Sequence, residues 1–257
     1  MAQTFIKREK ELYAQLGEDK GFVSFSVTKK EQIASGPTYT FTLSRQDGKK
    51  LWPHTAGQYI TIRIEKDGVL HHGHYVPVES TDGNTYVIAC RQGHDDQNTI
   101  VSEELIRNRA VGGTVLVSAP AGSFGLVNDA KHHLFVSGGI GITFLMGMIN
   151  ELNKQGQSAS VTVVQCAQTE DRAAFADKLR NTLAKGQYLL LTKEQQISKS
   201  HLQDKLKPDT HIYVSGSETF LDTANRIINE LNHPRSHVHI KSVEPTLGLL
   251  KALDHKK

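Results

Sequence analysis

Through the first half of the chain, apolar and polar residues alternate with a period of two. Serines separate Val23, Phe25 and Val27, and threonines separate Tyr39, Phe41 and Leu43. Such alternation turns one face of a segment to a core and the other to solvent, as in half-buried β-strands. The same grammar covers 58–64, 73–78, 85–90 and 113–120, with turn signals at Asp47-Gly48, Asp67-Gly68 and Asp82-Gly83. Six strands at this spacing predict an antiparallel β-barrel. Between the last two, Ile100, Val101, Leu105 and Ile106 fall at helical spacing with Ser102 as a candidate cap, which predicts one helix inserted in the β domain. Ahead of the strands, Phe5/Ile6, Leu12/Tyr13 and Leu16 share a helical face.

From about residue 126 the pattern becomes strand then helix, repeatedly: HHLFVSGG then ITFLMGMINELNKQG, ASVTVVQCA then DRAAFADKLRNTLAKG, QYLLLT then a weaker helix near 197–206, THIYVSG then ETFLDTANRIINEL, and lastly VHIKSV. Near-continuous apolar strands alternating with amphipathic helices predict a Rossmann-like parallel sheet covered on both faces. The expected organisation is a helical arm at 1–20, a β-barrel domain at 21–125, an α/β domain at 126–245 and a frayed tail at 246–257.

A length of 257 residues suits two such domains. Charge is nearly balanced, 30 Lys+Arg against 27 Asp+Glu, so nothing calls for a nucleic-acid partner. Cys90 and Cys166 lie far apart and in no C-x-x-C pair, which argues against a disulfide framework, a structural zinc site or an iron-sulfur cluster. With no apolar signal region and no membrane-length apolar run, a soluble cytoplasmic protein is expected. Of the clustered His71, His72 and His74, only the second and third share a strand face, too few ligands for a metal centre.

FVSGGIGITFLMGM follows a strand and opens a helix. Gly138, Gly139 and Gly141 remove side chains where the chain turns tightly and a phosphate would meet backbone, and the helix start offers N–H groups to an anion. A plain strand-to-helix turn also uses glycine, but strand, loop and Thr143 together favour dinucleotide binding. The spacing is G-G-x-G-x-T.

With that loop behind a barrel, the chain resembles the reductase module of flavohaemoglobins, within the ferredoxin-NADP reductase superfamily, from its first helix nearly to its end. FIKREKELY is similar to the segment joining globin and reductase, AGQYITIRI and VSAPAGSFG to barrel strands, FVSGGIGIT to the nicotinamide loop, AAFADKLR to a nucleotide-domain helix, and YVSGSETFL to the C-terminal nucleotide motif. The resemblance implies a barrel that binds FAD and an α/β domain that binds NAD(P)H, with hydride passing from nicotinamide to flavin and electrons leaving for an acceptor. No globin-like segment precedes the module in this sequence, so oxygen and nitric oxide chemistry is not carried over.

The transfer of residues is uneven. Tyr59 in GQY falls on a flavin-contacting tyrosine of the family, and Tyr75 on the aromatic of its R-x-Y-S motif. Gly73 then stands for the phosphate-binding arginine and Val76 for the serine. His72 and His74 are candidate substitutes, although alternation turns both away from the Gly73/Tyr75 face unless the strand bulges. Ser102 keeps the serine of a second phosphate element, G-x-x-S, whose glycine is Thr99. Phe144 replaces the proline after Thr143, Cys-Gly-Pro becomes Ser215-Gly216-Ser217, and Lys241 stands where the family carries a glutamate near the flavin. The candidate cofactor contacts are therefore Tyr59, His74, Tyr75, Ser102, Gly138, Gly139, Gly141, Thr143 and Gly216, with no metal ligand. Losing a charged phosphate partner costs about 1.5 to 3 kcal/mol, so FAD is expected to bind weakly, or not at all if nothing replaces that arginine.

Two readings of function follow. The first is a flavin-dependent NAD(P)H oxidoreductase that passes electrons to a separate protein or small acceptor. The alternative is a non-catalytic binding or regulatory descendant that keeps the fold with FAD binding lost or weakened. Arg172 lies near where a 2′-phosphate would sit but equally near Glu170 and Asp171, which leaves NADH and NADPH undistinguished.

Overall fold

The computed structural model describes residues 21–81, 83–93 and 97–243. The arm expected over 1–20 and the tail 246–257 lie outside the described residues.

The period-two segments form one antiparallel sheet of β1 (Phe22–Ala34), β2 (Thr38–Arg45), β3 (Ile60–Lys66), β4 (Val69–Tyr75), β5 (Glu79–Thr81), β6 (Thr85–Arg91) and β7 (Thr114–Ser118), ordered β4-β3-β7-β1-β2-β6-β5. The six expected strands are present, and the three-residue β5 adds an edge. Phe25, Val27, Phe41, Leu43, Ile60, Ile62, Tyr86, Ile88 and Val117 are fully buried on the inner face. Each such side chain contributes about 1.5 to 3 kcal/mol of burial, which makes this face the barrel's main source of stability. Helix α1 (Gln97–Asn108) closes the core with Val101 and Leu105.

Asp67 and Gly68, at φ 52° and 74°, make the two-residue turn between β3 and β4, the hairpin geometry that such left-handed pairs favour. That turn fixes an uninterrupted register. Gly73 pairs with Ile62 and Tyr75 with Ile60 on the buried face, while His72 pairs with Arg63 and His74 with Thr61 on the outer face. β4 stops at Tyr75, short of the expected residue 78. Pro77 has no N–H to give a ladder, and the chain bends through 76–78 before β5.

The second half folds as a five-stranded parallel sheet of β8 (His132–Gly138), β9 (Val161–Cys166), β10 (Tyr188–Leu191), β11 (Thr210–Gly216) and β12 (Val238–Ser242), ordered β10-β9-β8-β11-β12. Helices α2 (Ile142–Lys154), α3 (Ala176–Thr182), α4 (Lys199–Gln203) and α5 (Glu218–Glu230) connect the strands. Helix α3 begins later than its sequence suggests. Gln165 Nε2 donates to the Ala174 carbonyl at 3.0 Å, which ties that segment to β9, and Phe175 adopts φ 62° before the helix starts. Strand order reverses between β8 and β11, and in such sheets the crevice beyond the carboxyl ends at the reversal is where ligands bind.

Helix α2 docks on the barrel through a residue without a side chain. A Cβ on Gly147 would lie 2.5 Å from the Pro77 carbonyl oxygen, and Asn150 Nδ2 donates to the Val78 carbonyl at 2.6 Å. Val127 N–H donates to the Tyr213 hydroxyl at 3.0 Å, and Lys178 pairs with Glu79 at 3.3 Å. Among the described residues, no helix is long and apolar enough to cross a membrane.

Histidines of β8, β11, β12 and the turn before β12 form a ring stack: His133 on Phe135 and Tyr213, Tyr213 on His239 at 4.8 Å, His239 on His211 at 5.3 Å, and His211 on His237 at 4.3 Å. Burial, with neighbouring His211, pushes His133 down to about 4, and burial plus histidine neighbours lower His211 and His239. These rings are neutral in the fold and take protons more readily once unfolded. Their stabilisation is therefore complete above the ordinary histidine value of 6.5 and is lost as pH falls toward about 4. Urea unfolding across that window should show falling stability with decreasing pH, and His133→Phe, which keeps the stacking ring without its proton, should flatten the slope.

Candidate functional site

At the β8/β11 reversal two glycine turns meet. A 3-10 turn over Gly139–Gly141 leads into α2, and Gly216 leads into α5, capped by Ser217, whose side chain accepts from Phe220 N–H. The packing tolerates no side chains here. A Cβ on Gly141 would stand 2.2 Å from the Ser215 carbonyl oxygen, and Cβ atoms on Gly138 and Gly216 would enter the Phe220 ring at 2.4 and 2.5 Å. Thr143 is buried and donates from Oγ1 to the Ile140 carbonyl at 2.9 Å, which holds the turn. These cradle glycines let the turn pack directly on Phe220 and the Ser215 carbonyl, and the start of α2 that follows is the kind of helix end that offers N–H groups to an anion.

Beneath the cradle, Ser137, Ser215 and Lys241 form a row across β8, β11 and β12. The two serines are fully buried and their hydroxyls make no hydrogen bond. Lys241 carries its ammonium out of this sheet to the barrel, 5.9 Å from the centre of the Tyr59 ring. Tyr59 exchanges backbone hydrogen bonds with Ala121 at 2.9 and 2.8 Å and meets the His74 ring edge-on at 4.9 Å. His74 Nδ1 lies 3.0 Å from Thr61 Oγ1. Burial, then the charges of His72 and Lys241, hold the His74 pKa below its ordinary value, so the ring is neutral near pH 7.

Two arginines converge on the other side of the glycine turn. The Arg91 guanidinium lies 3.7 Å from the point a Gly139 Cβ would occupy, and Arg172 Nε 3.2 Å from the point a Gly36 Cβ would occupy. Burial, then the Arg172 charge, lower the Arg91 pKa, and Arg172 also lies within the field of Asp171. Two cavities flank the seam, of about 960 Å³ beside β1, β2 and residues 170–180, and about 1160 Å³ beside the 50–56 and 122–128 loops. Neither is lined by the cradle glycines, Tyr59, His74 or Lys241.

No protein-family model matches the chain. A flavohaemoprotein from Halalkalibacterium halodurans is 28% identical over 273 residues, covering 95% of this chain and 66% of that protein. Flavohaemoprotein A of Dictyostelium discoideum is likewise 28% identical, over 268 residues, covering 95% of this chain and 67% of that protein. The chain spans about two thirds of the length of these flavohaemoprotein relatives. Among solved structures, the FAD/NAD-binding domain of a Vibrio cholerae nitric oxide dioxygenase superposes with TM-score 0.77 at 22% identity, covering 87% of this chain and 99% of that one. Phthalate dioxygenase reductase gives TM-score 0.76 at 26% identity, over 87% and 68% of the two chains. The barrel followed by a parallel sheet is thus the ferredoxin reductase-like fold of the flavohaemoprotein reductase module.

Measured against that flavohaemoprotein-like frame, the structure brings together part of the set read from the sequence. Gly138, Gly139, Gly141, Thr143 and Gly216 converge at the strand reversal, and Tyr59 and His74 meet on the outer face of the barrel. Tyr75 and Ser102 are corrected. Tyr75 points into the barrel core, its ring lying 2.8 Å from where a Gly73 Cβ would be, and its hydroxyl is 2.9 Å from Ser102 Oγ. It presents no ring to the groove. Ser102 sits well inside α1, which starts at Gln97, and is buried, so it caps nothing. Sequence reasoning missed Arg91, which becomes visible only when β6 is placed beside the glycine turn.

The Tyr75–Ser102 bond should behave as a core hydrogen bond. Tyr75→Phe and Ser102→Ala are each expected to lower unfolding free energy by about 1 to 2 kcal/mol, with the double variant little worse than either single one. Denaturant titration of the four proteins measures this.

Proposed function

We propose that the protein is an NAD(P)H-dependent flavin oxidoreductase, with a nicotinamide dinucleotide at the glycine cradle, FAD on the outer face of β3 and β4, and electrons passing to a separate acceptor. The observation that carries this reading is that Lys241, on the strand beside that of Gly216, reaches Tyr59 of the barrel and so joins the end of the parallel sheet to the outer face of β3 and β4. The likeness to a FAD/NAD-binding domain and to a reductase described as transferring electrons from pyridine nucleotides to a [2Fe-2S] centre supports it.

The residues present fit both groups. On the nucleotide side, a Cβ would collide with Phe220 or the Ser215 carbonyl at Gly138, Gly141 and Gly216, Gly139 holds a left-handed φ of 54°, and Arg91 and Arg172 supply charge for a diphosphate. On the flavin side, the outward positions of β4 are His72 and His74, not Gly73 and Tyr75. The family's R-x-Y-S then fits one residue earlier than its tyrosine suggests, with His72 at the arginine position and His74 at the aromatic one. Tyr59 and His74 offer ring faces and edges, His74 offers a hydrogen bond with Thr61 holding its Nδ1, and Lys241 offers positive charge. Bound FAD would supply the chemistry that no side chain can, accepting a hydride and releasing electrons singly. The protein's share is to align the two ligands, keep His74 neutral and place the Lys241 ammonium against charge that builds up on reduction. Cys90 and Cys166, each pushed up to about 12 by burial, stay protonated and take no nucleophilic part.

Purified protein offered FAD should retain a yellow spectrum between about 350 and 500 nm and oxidise NADH or NADPH with ferricyanide as acceptor. Protein that stays colourless and inactive would exclude this reading. Arg91→Gln should raise KM for the dinucleotide about tenfold while kcat changes little, since a phosphate contact is held equally in ground and transition states.

A further inference from the structure

One cationic group on the barrel's outer face is not used above. Arg63 of β3 stands directly across the hairpin from His72 of β4. Its Nε donates to His72 Nε2 at 2.9 Å, and its guanidinium lies 3.6 Å from the centre of the Phe22 ring, which itself meets His72 at 6.0 Å. To accept that bond His72 must be neutral with its proton on Nδ1, and burial together with the Arg63 and His71 charges lowers its pKa accordingly. The arginine is thus braced by an aromatic plane on one side and an imidazole at its Nε. A guanidinium fixed in this way presents its donors in a plane, the geometry that grips a phosphate through two parallel bonds.

The position of this group follows from strand geometry. Thr61 and His74 form one rung of the outer face, with the Tyr59 ring against His74, and Arg63 with His72 form the next. Two residues along a strand advance about 7 Å, a distance that a five-carbon polyol chain spans. A ring resting on the first rung would therefore carry its phosphate over the second.

We infer that Arg63 is the flavin phosphate anchor of this protein, delivering from β3 the charge that the family's R-x-Y-S arginine delivers from β4. The missing arginine has been replaced across the hairpin, with His72 turned from phosphate ligand into a support for Arg63. This inference rests on the reading that the outer face of β3 and β4 receives a flavin, and it adds which residue holds the phosphate.

The test separates the phosphate from the ring. FAD, FMN and riboflavin are titrated by flavin fluorescence and calorimetry into wild-type protein, Arg63→Gln and Arg63→Lys. Arg63→Gln should bind FAD and FMN on the order of ten- to a hundredfold more weakly while leaving riboflavin affinity unchanged, and Arg63→Lys should recover part of the loss. Unchanged riboflavin binding also reports that the variant is folded. If wild type binds FAD and Arg63→Gln matches it, or if all three ligands weaken equally, the Arg63 assignment is wrong while the flavin site stands. If wild type takes up none of the three, the flavin reading fails and this inference with it.

Discussion

The backbone of α2 lies against the Pro77 carbonyl because residue 147 carries no side chain, and Asn150 then closes on the Val78 carbonyl three residues later. This close approach sets the spacing of the whole groove. The amino end of α2 bears the glycine cradle, while the segment it presses against follows directly from His74 and Tyr75. Any bulk at 147 would drive helix from barrel and part the Lys241 ammonium from the Tyr59 ring. The close packing of protein interiors leaves no slack to absorb such a shift.

Much of the fold was legible because its signals are local. Alternation along Val23 to Val27 and Tyr39 to Leu43 marks strands, Asp67-Gly68 marks a hairpin, and the glycines from 138 to 141 mark a strand-to-helix crossover. Period two also placed Gly73 and Tyr75 on one face and His72 and His74 on the other. It did not say which face was the core. The tyrosine at 75 drew the R-x-Y-S motif onto its own register, whereas burial against Ile60 and α1 takes that ring out of the groove. Ser102 misled for a related reason, since the apolar spacing that begins at Ile100 hides a first turn formed by polar residues from Gln97. Arg63 and Arg91 carried no sequence signal, because their meaning comes from partners on other strands.

The formal net charge of +3 gives no hint of how positive the groove is. Lys241 comes to the Tyr59 ring and Arg63 to His72 on the barrel's outer face, while Arg91 and Arg172 come from two further stretches to lie near each other. In a partly desolvated groove, charges interact several-fold more strongly than in bulk water, so a nearly neutral chain can still offer a strongly cationic surface to a polyanionic ligand. The neutral histidines between these groups add polarity without adding repulsion.

The strand order has a further consequence, in time instead of space. β8 lies at the centre of its sheet, but its neighbour β11 is made only after β9, β10 and their helices, and Lys241 arrives on the strand after that. Pairings that close long loops are slow and late in folding. The barrel can collapse as soon as β7 is made, whereas the groove does not exist until almost the last described residue is in place. A chain shortened by its final strand would keep most of its core, its glycine turns and its arginines, and lose Lys241, the group that ties the parallel sheet to Tyr59.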